Sequence, residues 1–325
     1  MKTITLGKKL ICTLLSALIL ISTLPTVAIA GTADDFQPET WWDYPGVPVD
    51  LTQMDSMDIH EKAEFIEEFY KKVTFGPEEN WDMTQGLAYC MLRIDTEGNE
   101  IRPIRSSDFK EGDYFFPTDS IYSFGETMYH PDIPSYYTNE NTPVTSGLYL
   151  LSKLYRFEAT GETGALEDAY LGFNSIWTIY NMFKGKKFDD YGDVFRDYVN
   201  AGILDTTGLL CKPYGFLPSN QTVADQYLYV VWALVEYYDF AAPAVQEQIR
   251  EMVVAFADFW TRINYTIRYF DYYWDNKNEI YGYNGIMCFL QSAAYHFTND
   301  EKYLNAATWF YNRGAWQTSS FLDNP

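Results

Sequence analysis

Three helix pairs recur between residues 146 and 312, and they constrain the fold more than any other feature of the chain. A turn of two or three residues joins the two segments of each pair, which are 146–159 with 163–183, 223–240 with 243–263, and 285–297 with 300–312. In each pair the first segment is apolar on nearly all sides, whereas the second has one polar face. A helix that is apolar all round is buried on every side, and an amphipathic helix has a solvent face. The pattern predicts an inner layer of first helices and an outer layer of second helices.

Two long connections, 184–222 and 264–284, join one pair to the next. They are much longer than typical connections between packed helices, and long loops within compact domains usually carry function. If the inner helices run parallel, both connections and the beginnings of all inner helices lie at one rim. We expect the functional site at this rim.

The turn sequence FEATGETGALEDAYLGF (157–173) resembles hairpins of the six-hairpin glycosidase superfamily, and the pattern extends over 146–312. The resemblance implies an all-α fold, the (α/α)6 toroid, with a carbohydrate site in the funnel where the inner helices begin. Six hairpins need twelve helices, but beyond the three pairs the sequence predicts only an amphipathic helix at 58–73 and a short helix near 81–91. We expect an incomplete toroid, and we interpret the sequence as a fragment of a longer one.

Residues 90–120 differ from the helical pairs. The segments CMLRID and EIRPI flank the turn TEGN, which contains glycine. This order predicts a β-hairpin inserted into the helical domain.

The N-terminus has the order of a secretory signal peptide. Three lysines lie within the first nine residues, an apolar run spans 10–24, and Ala28-Ile29-Ala30 supplies the small residues of a cleavage site. We expect residues 1–30 to be removed and 31–325 to form one secreted domain, extracellular or periplasmic. No later stretch has the roughly 20 apolar residues of a membrane span.

Charge and aromatic content narrow the class of partner. Three of the 23 basic residues belong to the predicted signal, so 20 remain against 45 acidic residues, a net charge of −25. Such a charge repels nucleic acid and anionic lipid surfaces. The chain also contains 28 Tyr, 22 Phe and 9 Trp, and aromatic rings stack on flat, half-polar sugar rings. We expect an oligo- or polysaccharide partner, and neither a nucleic acid partner nor a membrane span.

Glycoside hydrolysis requires two carboxyl groups roughly 5 to 10 Å apart. Three candidates lie where the predicted rim would be: Asp225 in the first turn of an inner helix, Glu140 before another, and Asp205 in the connection 184–222. The side chains predicted to bind substrate beside them are Tyr137, Arg196, Asp197, Tyr227 and Trp232.

Asp225 has two interpretations. Thr222-Val223-Ala224-Asp225 matches a capping box, in which the acid bonds back to a free backbone amide. A carboxylate at a helix N-terminus has a lowered pKa, which suits a base or nucleophile. If Asp225 is catalytic, we expect it to act as the base.

Two other functions stay open. His130 lies in an aromatic loop, as a polysaccharide lyase base would, and a non-catalytic glycan-binding surface protein would need only the aromatic residues. His60, His130 and His296 are too widely spaced for a metal site, so neither a metal nor another cofactor is predicted.

Overall fold

The computed structural model of the chain describes residues 47–48, 50–75, 87–90, 92–95, 100–103, 141–185, 202, 204–213, 224–269, 272–275 and 283–313. These residues contain seven α-helices, which confirm the all-α class. The helices are α1 (Ile59–Phe75), α2 (Thr142–Thr160), α3 (Thr163–Phe183), α4 (Ala224–Tyr238), α5 (Pro243–Arg262), α6 (Tyr283–Thr298) and α7 (Glu301–Asn312). No helix among the described residues is long and apolar enough to cross a bilayer.

The three predicted pairs correspond to α2–α3, α4–α5 and α6–α7, with bounds within a few residues of those predicted. Local signals explain where they turn. Gly161 ends α2 in the left-handed conformation at φ 76°, and its N–H donates to the carbonyl of Phe157. Pro243 begins α5, where its missing N–H has no helical partner to lose. The Asp300 side chain caps α7 by accepting from the backbone amide of Lys302.

Helices α2, α4 and α6 form one layer, and α3, α5 and α7 pack against it. The expectation that the first helix of each pair is buried on every side is wrong for α2, which exposes Leu148 and Tyr155. At the beginnings of α2 and α4, Gln226 bonds to Asn141, and at their ends the Phe157 and Phe240 ring centroids are 5.7 Å apart. The inner helices α4 and α6 also end together, with the Tyr238 and Phe297 centroids 4.9 Å apart. The inner helices therefore run parallel. Closure of these layers into a toroid stays a prediction.

A single large apolar cluster fills the space between the layers. Its centre is aromatic, because Tyr227 packs edge-on against Phe256 and Trp260 with both centroid distances at 5.4 Å. All three side chains are fully buried. Large buried rings dominate core energetics, so the high aromatic content of the sequence serves the core as well as any ligand site.

Helix α1 is attached to α2 and α3 by ion pairs. The ammonium of Lys153, only 2% exposed, lies 2.5 Å from a Glu67 oxygen and 3.3 Å from an Asp168 oxygen. Asp168 also pairs with Lys71 at 2.6 Å. A buried ammonium without a partner would be strongly destabilising, so these pairs fix the position of α1.

The predicted β-hairpin is present as β2 (Leu92–Asp95) and β3 (Glu100–Pro103), with Ile94 opposite Ile101. A short strand that the sequence did not indicate, β1 (Val47–Pro48), pairs with β3. The part of the predicted insertion beyond residue 103 lies outside the described residues.

A second hairpin, absent from the prediction, lies in the connection after α5. Strands β4 (Thr266–Tyr269) and β5 (Tyr272–Asp275) are antiparallel. Their sequences, TIRY and YYWD, have the β-branched and aromatic residues of strands, so the signal was present but short.

The prediction of a short helix near 81–91 is wrong for residues 87–90, which are described and are not helical. The segment packs against α2 and α3 instead. The N–H of Ala88 donates to Ser175, and its carbonyl accepts from the Thr142 hydroxyl. These bonds to α2 and α3 take the place of helical ones.

Candidate functional site

The first turns of α2 and α4 meet at one rim, and we predict the site at this end of the inner helices. The Gln226 side-chain amide donates to Asn141 Oδ1 over 3.1 Å, which joins the beginnings of α4 and α2. The backbone N–H of Asn141 donates to the Cys90 sulfur, so the segment before β2 also reaches this rim. Because α6 runs parallel to α4, Asn284 in its first turn lies at the same end of the layer.

Asp225 is the acidic residue of the first turn of α4, and its side chain is open to solvent. Protein atoms nevertheless crowd the carboxyl, and this loss of hydration raises its pKa above the ordinary aspartate value. The ammonium of Lys212 and the backbone amides of Gln226 and Asp225 act in the opposite direction without cancelling the effect. The expectation of a lowered pKa is therefore wrong, because desolvation outweighs the helix N-terminus.

Only part of the capping box at Asp225 lies among the described residues. Thr222 lies outside the described residues, so its bond to the acid stays a prediction. The carboxylate does interact with free amides of the first helical turn, its own and that of Gln226. Asp225 thus stabilises the helix start and presents a carboxyl to solvent at the same position.

Two buried amide side chains lie in the first turns of α4 and α6: Gln226, next to Asp225 in sequence, and Asn284. Gln226 is 1% exposed and Asn284 is 3% exposed, and neither side-chain oxygen has a hydrogen-bond partner among the described residues. Buried polar atoms are nearly always paired with protein or ordered water. Unpaired acceptor oxygens at an inner rim are suited to hydroxyl donors of a bound molecule.

An exposed stripe on α4 leads away from the rim. Trp232 follows Asp225 by seven residues, two helical turns, so both side chains lie on the same face about 10 Å apart along the axis. Trp232 is 37% exposed and its indole N–H donates to Glu236 over 3.3 Å. It also interacts with the hydroxyl of Tyr155, an exposed residue of the neighbouring α2. The predicted contact of Trp232 with substrate stays a prediction, and its exposure permits it.

Asp205 lies among the outer helices. One carboxylate oxygen accepts from the backbone N–H of Thr207 at 2.9 Å, and the other lies 3.8 Å from Arg262 at the end of α5. It also acts electrostatically on Tyr180 of α3. No described contact brings Asp205 to Asp225, and its local bonding is that of a turn residue.

Tyr227 is not available to a substrate, which corrects its predicted role. The residue is 0% exposed, and its hydroxyl donates to the Gly208 carbonyl and accepts from the Leu210 N–H. Tyr227 instead fixes the segment that leads to Lys212, the cation that acts on Asp225. It is a core residue that positions the rim.

Four of the predicted site residues lie outside the described part of the chain: Tyr137, Glu140, Arg196 and Asp197. Sequence reasoning missed Gln226 at the rim, Lys212, which acts on Asp225, and Asn284 at the same end of the layer. It also missed Tyr155, which lies toward the other end of α2. A signal existed for the two amides, because each is a polar residue in the first turn of an otherwise apolar helix. Lys212 had no comparable signal.

Among the described residues no cluster of acidic, histidine and cysteine side chains is able to hold a metal ion. His60 and His296 are exposed at distant positions, and His130 lies outside the described residues.

A groove of about 620 Å³ lies elsewhere, between α1 and the α2–α3 turn. It is lined by acidic side chains, several of which pair with cations: Glu67 and Glu162 with Arg156, and Asp168 with Lys71 and Lys153. These residues hold helices together, at the end of α2 opposite to the rim.

No family model matches the chain, no curated protein matches it, and no solved structure matches its fold.

Proposed function

We propose that the protein is a secreted glycoside hydrolase of the (α/α)-toroid type, acting on neutral or weakly acidic glycans at the rim where α2, α4 and α6 begin. The observation that carries this proposal is Asp225, a solvent-open carboxyl whose pKa is raised by crowding at that rim. The general acid of a glycosidase is a carboxyl whose pKa is raised above the ordinary value, which is the direction found for Asp225.

Asp225 would protonate the glycosidic oxygen as the leaving group departs. Lys212 and the first-turn amides would then stabilise the carboxylate that remains. The role differs from the base expected from sequence, since the direction of the pKa favours proton donation.

Glu140 is our candidate for the second carboxyl group. It directly precedes Asn141 in the sequence, and the Asn141 side chain accepts from Gln226, the residue next to Asp225. Asp205 is the weaker candidate, because its carboxylate is engaged by Thr207 and Arg262 at the outer helices.

The unpaired oxygens of Gln226 and Asn284 favour a substrate that donates hydroxyl hydrogen bonds. Trp232 and Tyr155 offer exposed rings for stacking below the rim. A uronate chain would bring carboxylates that need donors, and it would meet a strongly negative protein. These features support neutral glycans over the lyase alternative.

A non-catalytic glycan-binding protein is the second candidate. One observation favours it: in the first turns of α2, α4 and α6, Asp225 is the only acidic residue. Binding would require the rim amides and aromatic residues but no carboxyl pair.

A panel of neutral and uronate-containing glycans, assayed for reducing-sugar release and for binding, separates these functions. A hydrolase should release sugar from a neutral glycan and lose at least about 100-fold in turnover in Asp225→Asn and Glu140→Gln. Glu236→Gln is the matched control. Its carboxyl lies on the same helix, but about 16 Å from Asp225 along the axis, too far to act as its partner. Binding that is weakened by Trp232→Ala without any turnover would identify the binding protein, and no binding at all would refute both.

A further inference from the structure

A second polar groove lies on the outer side of the helical layers, between the end of α5, the middle of α6 and the start of α7. Its volume is about 360 Å³. None of its lining residues is one of the rim residues described above, and no part of the proposed hydrolysis uses it. Its lining combines charged, hydroxyl and amide groups, of which we use Asp258, Thr261, Arg262, Tyr265, Gln291 and Lys302.

Gln291 forms the floor of the groove and is 0% exposed. Its Nε2 donates to the Ala257 carbonyl over 3.1 Å. A carbonyl only accepts, so the amide orientation is determined and the remaining atom is the oxygen. That oxygen, Oε1, is buried and has no partner among the described residues.

An unpaired hydrogen-bond donor lies on the neighbouring helix, α5. The Nε of Arg262 is buried and also has no hydrogen-bond partner among the described residues. The guanidinium is held in place through its Nη2, which donates to the carbonyl of Thr207. The groove thus contains one unsatisfied acceptor and one unsatisfied donor, both on anchored side chains.

The backbone at the groove edge is strained. Asn264 and Tyr265 have φ values of 52° and 58°, a left-handed conformation that is unfavourable for residues other than glycine. It directs Tyr265 inward, where its ring packs edge-on against Phe310 at 4.7 Å and its hydroxyl lies 3.2 Å from Thr261 Oγ1. Strained residues of this kind concentrate at ligand sites.

The charges around the groove balance. Lys302 pairs with Asp258 at 3.1 Å, and Arg262 lies 3.8 Å from Asp205. Two cations and two anions give no preference for a charged ligand. A volume near 360 Å³ is at the small end of ligand sites.

We propose that this groove binds one neutral, hydroxyl-rich sugar ring, with a hydroxyl that donates to Gln291 Oε1 and a ligand oxygen that accepts from Arg262 Nε. A hydroxyl group both donates and accepts, so one ligand class satisfies both unpaired atoms. Because Gln291 Oε1 and Arg262 Nε are both buried, binding requires rotation of side chains that line the groove, among which Lys302 is 55% exposed.

The test is a calorimetric titration of the full chain with methyl glycosides of glucose, galactose and mannose, in a Trp232→Ala background that weakens the inner rim. One neutral glycoside should bind, and Ala306→Phe, which fills the groove, should abolish its binding. Asn305→Phe, at an exposed position of α7, should leave binding unchanged.

A second pair of variants keeps the test decisive if Ala306→Phe does not fold. Thr261→Ala removes a groove hydroxyl that bonds to the carbonyl four residues earlier, and Thr298→Ala removes the same kind of bond outside the groove. Thr261→Ala should weaken binding about tenfold and Thr298→Ala should not.

Either of two results would overturn the proposal: no glycoside binds, or binding survives both groove variants. A crystal soaked with the glycoside that showed only an ordered water on Gln291 would also overturn it. Asp225→Asn separates the two proposals, because it should abolish hydrolysis and leave this binding intact.

Discussion

Asn141 occupies the N-cap position of α2, yet its side chain does not cap that helix and instead accepts a 3.1 Å hydrogen bond from Gln226 of α4. The bond joins the first turns of two helices that are 85 residues apart in sequence. It holds the inner rim together next to Asp225.

Replacing Asn141 with alanine should destabilise the protein by about 1–3 kcal/mol, because the buried Gln226 amide would lose its remaining partner. Thermal unfolding followed by circular dichroism measures the loss. Asn305→Ala, at an exposed position of α7, should change the free energy of unfolding by less than about 0.5 kcal/mol. Equal melting temperatures for the two variants would mean that the rim does not depend on this bond.

Gly147→Ala should destabilise the pairing of α2 with α4. A Cβ at this position would lie 2.7 Å from the Tyr229 carbonyl oxygen, and backbone cannot move aside without shifting a helix. We expect a cost of about 1–3 kcal/mol, as for other overpacked cores. Gly164→Ala is the matched control. Its Cβ would meet nothing within 4 Å, and alanine is the better helix former, so that variant should be as stable as the parent or more so. A neutral Gly147→Ala would argue against the close packing of these two helices.

Asp225→Asn should abolish turnover on whichever glycan the wild type cleaves, without lowering the melting temperature at neutral pH. The folded-state pKa of this carboxyl is raised, so the folded protein holds the proton more tightly than the unfolded chain. Stability is then lost as pH rises above about 4 through the folded pKa, and the asparagine variant avoids this loss. Melting curves from pH 3 to 8 should show that the melting temperature of the variant increases relative to that of the wild type as pH rises. Lowered melting with unchanged turnover would make Asp225 a helix cap.

Tyr303 should titrate late and couple to Asp258. Burial raises the pKa of Tyr303 to about 12, and its 2.9 Å hydrogen bond to Asp258 adds to the effect. Because the folded pKa exceeds the unfolded value of about 10, this contribution to stability is complete below pH 10 and disappears as pH rises through about 12. Ultraviolet difference titration of wild type against Tyr303→Phe isolates this hydroxyl. In Asp258→Asn the Tyr303 pKa should fall; an unchanged value would show that Asp258 has no part in the shift.

Local patterns in the sequence determined the helical part of the fold. The three pairs, their turns, α1 and the hairpin at 92–103 follow from hydrophobic periodicity and from residues such as Gly161 and Pro243, whose conformational preferences act within a few positions. The grouping of α2, α4 and α6 into one layer followed from the same periodicity, but their exposed residues, such as Tyr155 and Trp232, did not. The hairpin at 266–275 escaped prediction because residues 270 and 271 between its strands include no glycine, whereas Gly98 marked the turn of the equally short hairpin at 92–103.

Only the tertiary structure decided what the individual polar residues do. Asp225 and Tyr227 belong to the same helix and are two positions apart, yet the Asp225 side chain is open to solvent and the Tyr227 side chain is completely buried. The pKa of Asp225 rises because protein atoms crowd the carboxyl and reduce its hydration, which sequence spacing does not encode. In the same way, the role of Gln226 depends on its bond to Asn141, and the role of Asp205 depends on its proximity to Arg262. Hydration, burial and pairing depend on which segments meet in space. Periodicity determines which face of a helix turns inward, and the packed neighbours determine the chemistry of the residues on that face.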